Sequence, residues 1–275
     1  MKIQALIVCL SIIASSVFSQ SDTIYTNNEK IICSIKEVTP DAIKFIYPNE
    51  DVLNSVYKNT VQKIVYKSGR VQLFAENTSY KTVTGPKDFE NVSITKVESE
   101  VKGLFKLGDV SSKAKGTTEF SNQERVKERA YRKLKVQAAM MRANIIFLTD
   151  SRTQGNKIGG KYESSQTSEA SFSGVAYTNT LPNYNDFVKV LGNTTRVTAM
   201  EVVVLKSSAS DMDFKEINTY LTINKVYNEN GLIMIDGKIE GVKNKNTFRV
   251  TNFSSGSFTI VFEDKDSMYN YRFVL

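Results

Sequence analysis

Arg125, Arg129, Arg132 and Lys133 are the residues whose type and spacing best define a surface with chemistry of its own. On a helix, at ~100° per residue, all four fall within about 100° of one another. From Ser121 to Arg142 the basic residues are Arg125, Lys127, Arg129, Arg132, Lys133, Lys135 and Arg142, opposed only by Glu124 and Glu128. Such a face attracts an anionic polymer, lipid head groups or an acidic protein partner. The same spacing also fits a solvated helix face, with Glu128 and Arg132 as an i,i+4 pair worth ~0.3 kcal/mol.

Other chemistry is narrowed by what is missing. The sequence has no His and no Trp. That excludes Ser-His-Asp and Cys-His catalysis, His-ligated metals and the usual general base near pH 7. The run Gly155-Asn156-Lys157-Ile158-Gly159-Gly160-Lys161 matches G-x-x-x-x-G-K, but Tyr162 stands where a P-loop needs Ser or Thr for Mg²⁺. The stretch Glu163–Glu169 has no helical periodicity, so no helix N-terminus is expected to face a phosphate there. Glu263, Asp264 and Asp266 form one acidic cluster, and Asp211 and Asp213 a second. Met268 breaks the spacing of a Ca²⁺ loop after Asp264 and Asp266, and these read as turn carboxylates in water. Nothing marks a catalytic pair, so a hydrolase acting through carboxylates alone on envelope glycans stays an alternative. No cofactor and no metal is expected. Nucleic acid is not expected as a partner either, because no basic motif interleaved with aromatics appears.

The beginning of the chain gives an address. Lys2 precedes an apolar run, Ile3 to Ile13, and Val17 and Ser19 stand at −3 and −1 of a cleavage site before Gln20. Residues 1–19 therefore read as a signal peptide, and the mature protein as periplasmic or extracellular. The run is shorter than the ~20 residues of a membrane span, and no later window approaches one. Cleavage of 19 residues from 275 leaves 256, removes Lys2 and brings the formal charge from +7 to +6. It also removes Cys9, leaving Cys33 alone, without an internal disulfide partner. Cys33 alternates with Ile31 and Ile35 and reads as a buried, inert thiol. At this length a core suffices for stability. Composition is ordinary for a globular chain, 41% hydrophobic and 24% charged.

Three segments must position these residues. In 20–80, the runs Lys30–Val38, Ala42–Tyr47, Val61–Tyr66 and Val71–Phe74 predict a small antiparallel sheet of four or five strands. Asn27-Asn28, Thr39-Pro40-Asp41 and Lys67-Ser68-Gly69-Arg70 supply turns. Segment 88–207 holds one clear helix, opened by a Ser121–Glu124 capping box and striped by Val126, Ala130, Leu134, Ala138 and Met141. Strands follow at Asn144–Thr149, Ala170–Tyr177 and Arg196–Leu205. Segment 213–275 predicts a meander or small barrel from Ile217–Tyr227, Leu232–Ile239, Thr247–Phe253, Phe258–Phe262 and Met268–Leu275. Tyr271, Phe273 and Leu275 alternate in the last of these, which reads as a closing sheet strand.

Two resemblances accompany these patterns. The Asp22-Thr23-Ile24 start, Lys36-Glu37-Val38-Thr39 and the Ile64-Val65-Tyr66…Gly69-Arg70 ending resemble a short β-module found at the start of exported bacterial proteins. The run Lys133 to Ile146, containing Gln137-Ala138-Ala139 and Ala143-Asn144, with Ser173-Gly174-Val175-Ala176-Tyr177 downstream, resembles the YbjQ-like group. That group includes the lipoprotein sensor of the Rcs envelope-stress pathway. The resemblance spans about 90 residues and implies a helix packed closely on a strand through small residues. The Rcs sensor is lipidated and disulfide-bonded, whereas segment 88–207 has no cysteine. Metal binding proposed for relatives does not transfer without soft ligands.

The expectation is an α+β protein, predominantly antiparallel β. A central sheet is covered by one long amphipathic helix and flanked by two small all-β segments. Its expected role is an exported cell-envelope interaction or sensing protein without catalytic activity, binding an anionic envelope component or an acidic protein. Besides the hydrolase, the alternative is a structural subunit assembling through edge strands, its oligomeric state open.

Overall fold

A computed structural model describes residues 21–26, 29–74, 80–118, 120–157 and 166–275. The expected signal peptide and the Asn27-Asn28 turn lie outside the described residues. The chain is β-rich and divides into two compact units, 1–77 and 78–275.

In the first unit, β1 (Asp22–Thr26), β2 (Lys30–Val38), β3 (Ala42–Ile46), β4 (Asn54–Tyr57), β5 (Val61–Val65) and β6 (Val71–Leu73) form one antiparallel sheet. Its order is β4-β3-β2-β1-β5-β6. The alternation seen in sequence becomes a one-sided core of Ile24, Ile31, Cys33, Ile43, Phe45, Val61 and Ile64. Asp22 is buried because it joins the strand ends. Its Oδ2 accepts the Ile35 N–H at 2.9 Å and its Oδ1 the Lys67 N–H at 2.8 Å.

The second unit begins with β7 (Ser93–Thr95), β8 (Phe105–Lys115), α1 (Gln123–Met140), β9 (Ile145–Gln154) and β10 (Glu169–Thr178). These strands make a sheet in the order β7-β9-β10-β8, with β7 parallel to β9. Strand β10 buries Ala170, Phe172, Gly174, Ala176 and Thr178 at every second residue, on the face that α1 covers. Tyr131 of α1 stacks on Phe172 at 4.1 Å between ring centroids. Gly174 is required by crowding, since a Cβ there would lie 2.6 Å from the Phe147 carbonyl oxygen of β9.

The expected stripe of Val126, Ala130, Leu134, Ala138 and Met141 is buried throughout. The expected cap is corrected by one residue. Asn122, not Ser121, is the N-cap, its Oδ1 accepting from the Glu124 and Arg125 N–H groups at 2.9 and 3.2 Å. Ser121 is held one step earlier in a turn with Thr118, whose N–H it accepts at 3.0 Å. The helix ends where Arg142 adopts a left-handed φ of 64° and the Ala143 N–H bonds the Ala138 carbonyl at 2.8 Å.

A short helix, α2 (Tyr184–Leu191), leads to β11 (Arg196–Lys206), β12 (Asp213–Glu229), β13 (Leu232–Ile239), β14 (Thr247–Ser254), β15 (Ser257–Asp264) and β16 (Ser267–Val274). These six close into a barrel, β16 pairing back onto β11. Arg196–Leu205, expected beside the helix in the central sheet, is therefore a barrel strand: β11 hydrogen-bonds β12 and β16. Its run of Val202 to Leu205, buried on both faces, explains why alternation could not assign it. The interior is filled by Phe248, Phe258, Phe262, Phe273 and aliphatic residues, and Phe187 of α2 packs 5.4 Å from both Phe253 and Phe258. The barrel's outer wall is also buried where it meets α1. Leu205, Val261 and Met268 share a core with the helix, and Asn270 Nδ2 donates to the Met140 carbonyl at 3.2 Å.

Burial pushes the Cys33 thiol pKa up from 9.0 to about 11, and the neighbouring Asp22 carboxylate adds to the rise. The folded pKa lies above the unfolded one, so the associated stability is complete below pH 9 and is lost as pH rises toward about 11. Iodoacetamide at pH 8 should leave Cys33 unmodified in the native protein and alkylate it on unfolding, as read by peptide mass. Cys33→Ala should flatten the fall in thermal stability over that alkaline window.

Candidate functional site

The first turns of α1 stand beside the 3-10 turn Pro86–Asn91 and the segment leading from β8 into the helix. Between them lies an open groove of about 930 Å³. Phe89 and Glu90 line one wall, Phe120 and Thr118 the mouth, and Arg125, Glu128, Arg129, Arg132 and Lys135 the helix side. Phe120 is 74% exposed, an aromatic ring presented to solvent immediately before the helix.

Three of the four expected binding residues meet here, and their surroundings differ. Arg125 is exposed, and its side chain makes no hydrogen bond or ion pair with any described residue. Arg129 is exposed along its length, but its Nη2 donates to the Lys115 carbonyl at 2.9 Å. Arg132 lies over the Phe89 ring at 4.7 Å and pairs through Nε with Asp211 Oδ1 at 2.8 Å. The expected Glu128–Arg132 pair does not form; the better-placed carboxylate comes from the loop after β11.

Lys133 is the correction. It is 6% exposed, and its Nζ donates to the Ser207 carbonyl beyond the end of β11. The reason is helical geometry. Seven residues after Val126, it sits ~20° from that buried side chain and at the margin of the apolar stripe. Burial pushes its ammonium pKa below the ordinary lysine value. Lys133 therefore belongs to a different cleft, bounded by the barrel.

The sequence reading missed Phe120 and Lys135 as groove residues. Phe120 carries a signal in retrospect: a large aromatic in a polar turn before a cap, with no strand or helix period to bury it. The Walker-like run resolves in part. Lys157 forms an isolated antiparallel bridge with Gln166, and the described chain after it enters β10; residues 158–161 lie outside the described residues. Of the acidic clusters, Asp211 engages Arg132, Asp213 lies 3.9 Å from Lys206, and Glu263 and Asp266 border the Lys133 cleft. Among the described residues, no helix is long and apolar enough to cross a membrane.

The two arginines at the ends of the expected face should separate in a stability measurement. Arg132→Ala removes an ion pair that is partly screened by solvent and a cation–π contact, for a loss of about 0.5–1 kcal/mol. Arg125→Ala should stay within about 0.5 kcal/mol of the parent. Urea unfolding of both variants checks this.

Comparison with known proteins supplies no relative: no family model, no curated protein and no solved structure matches this chain.

Proposed function

We propose that this is an exported, non-catalytic interaction or sensing protein of the cell envelope, and that its groove at the start of α1 takes an anionic partner. The carrying observation is Arg125, an exposed guanidinium with no partner among the described residues, beside Arg129 and Lys135 and next to the exposed Phe120. A planar cation and an open ring together suit phosphate or carboxylate groups borne on a larger surface. Glu90 and Glu128 in the same groove set a limit on charge and favour a ligand read at defined positions. On this reading residues 1–19 are the export signal. The helix-on-sheet part is a YbjQ-like unit, and 20–80 and 213–275 flank it as β-rich segments.

The test is co-sedimentation of the mature chain with purified envelope fractions at low and high salt, beside Arg125→Ala/Arg129→Ala. Binding should fall at least several-fold between 0.05 and 0.5 M salt, on the order of what screening removes from exposed charges, and be lost in the variant. Equal binding of variant and parent overturns the role of the groove.

One observation favours the alternative of assembly through edge strands. The two edges of the first sheet are β4 and β6, and they expose Tyr57, Val71 and Leu73. If a second copy pairs there, sedimentation velocity should show a concentration-dependent dimer that Leu73→Lys abolishes; a monomer at all concentrations rejects it.

A further inference from the structure

The cleft that holds Lys133 has a chemistry separate from the arginine groove. Strand β8 is the outer edge of its sheet, so alternate backbone groups point away from β10. Three side chains occupy those groups. Arg249 donates to the Leu107 carbonyl, Gln137 Oε1 accepts the Ser111 N–H at 3.0 Å, and Arg129 donates to the Lys115 carbonyl. The register with β10 is regular from Ser111 to Lys115, so Lys113 lies between two outward-bonding residues and turns its own N–H outward as well.

That N–H opens onto a cleft of about 500 Å³ between the edge of β8, α1 and the barrel end formed by the β11–β12 and β15–β16 turns. Lys133 enters it almost fully buried, with the Ser207 carbonyl as its acceptor and, among the described residues, no carboxylate paired to it. The Ser112 side chain lies on the opposite face of β8, with Phe172 under α1, and its buried hydroxyl is out of reach of the cleft. Lys206 and Lys265 stand at the rim with Glu263 and Asp266; Lys113 Nζ is held by Glu169 at 2.7 Å. A buried ammonium lacking a counter-charge is costly by itself. Here it borders a concavity beside an outward backbone N–H, so a single oxyanion would satisfy both donors.

We propose that this cleft is a binding site for a small phosphate-bearing ligand, with Lys133 as its charge partner and the Lys113 N–H as its hydrogen-bond donor. The volume leaves room beyond one phosphate group, and the hydroxyls of Ser111, Ser171, Ser173 and Ser267 line that remainder. A polyol phosphate fits this lining, and inorganic phosphate shares the chemistry of the charged end.

The full mature chain would be titrated calorimetrically with inorganic phosphate, glucose 6-phosphate and glucose at constant ionic strength set with chloride. Thermal unfolding would be followed in parallel. Both phosphates should bind and, near saturation, raise Tm by roughly 2–5 °C, while glucose does neither. Tighter binding of the sugar phosphate assigns the serine lining to its hydroxyls; equal binding assigns the site to phosphate itself, and both support the proposal. Lys133→Met keeps the buried stem and should weaken binding roughly tenfold or more. Lys189→Ala, on the exposed side of α2 and outside both grooves, should bind as the parent does. The proposal is overturned if neither phosphate binds beyond the chloride control, if glucose binds equally, or if a folded Lys133→Met retains full affinity.

Discussion

Burial of α1 from two sides is the constraint on which the second unit depends. A helix on an open sheet needs one apolar stripe, and Val126, Ala130, Leu134, Ala138 and Met141 provide it. This helix also buries Val136, Ala139 and Met140, which lie off that stripe. Val136 stands only ~20° from Arg125 around the helix axis. The 3-10 turn Pro86–Asn91 and the outer wall of the barrel stand against the helix outside its sheet, with Leu205, Val261 and Met268 in the shared core and Asn270 bonded to the Met140 carbonyl. The small side chains of Ala138, Ala139 and Ala143 suit an element packed between two others. Sheet and barrel are thus joined through one helix, and each needs it to cover a face that would otherwise meet water.

The same packing divides the basic residues of α1 into two groups. In the first turns no barrel covers the helix, so Arg125, Arg129 and Arg132 remain beside an open groove. Two turns later the barrel end closes over Lys133. A buried lysine facing serines is a different chemical object from an arginine in solvent. One is short of a counter-charge, and the other is screened and exchangeable. Edge strand β8 contributes to both places, since Arg129 bonds its far end at Lys115 and Gln137 its middle at Ser111. Side chains capping this edge also limit pairing with another chain, a role that in other sheets falls to lysines, bulges or short strands.

Legibility in the sequence followed the strength of local pattern. Leu232–Ile239 alternates cleanly and is β13 with those limits, and Lys30–Val38 is β2. The sequence sets no limits for strand β8, because Gly108, Asp109 and the Ser111-Ser112 pair obscure its period. Helix α2 was missed as well, being only two turns long, although Asn183 caps it by accepting the Asp186 N–H at 3.1 Å. The cap of α1 slipped by one residue because Ser121 and Asn122 are both competent. The choice rests on the turn that ties Ser121 to Thr118.

By itself the sequence determined the chemistry that is absent, the β-rich character, the helix and the side of it that meets the sheet. All of these follow from residue type and from periods of two and 3.6, which are local properties. Only the tertiary structure decided that β11 closes a barrel, that Lys133 leaves the solvated face, and that it shares a cleft with Lys113. Those outcomes depend on which surface covers which. Val202 to Leu205 are equally apolar toward both faces, and Lys133 lies at the stripe's margin, so neighbours distant in the chain settle them.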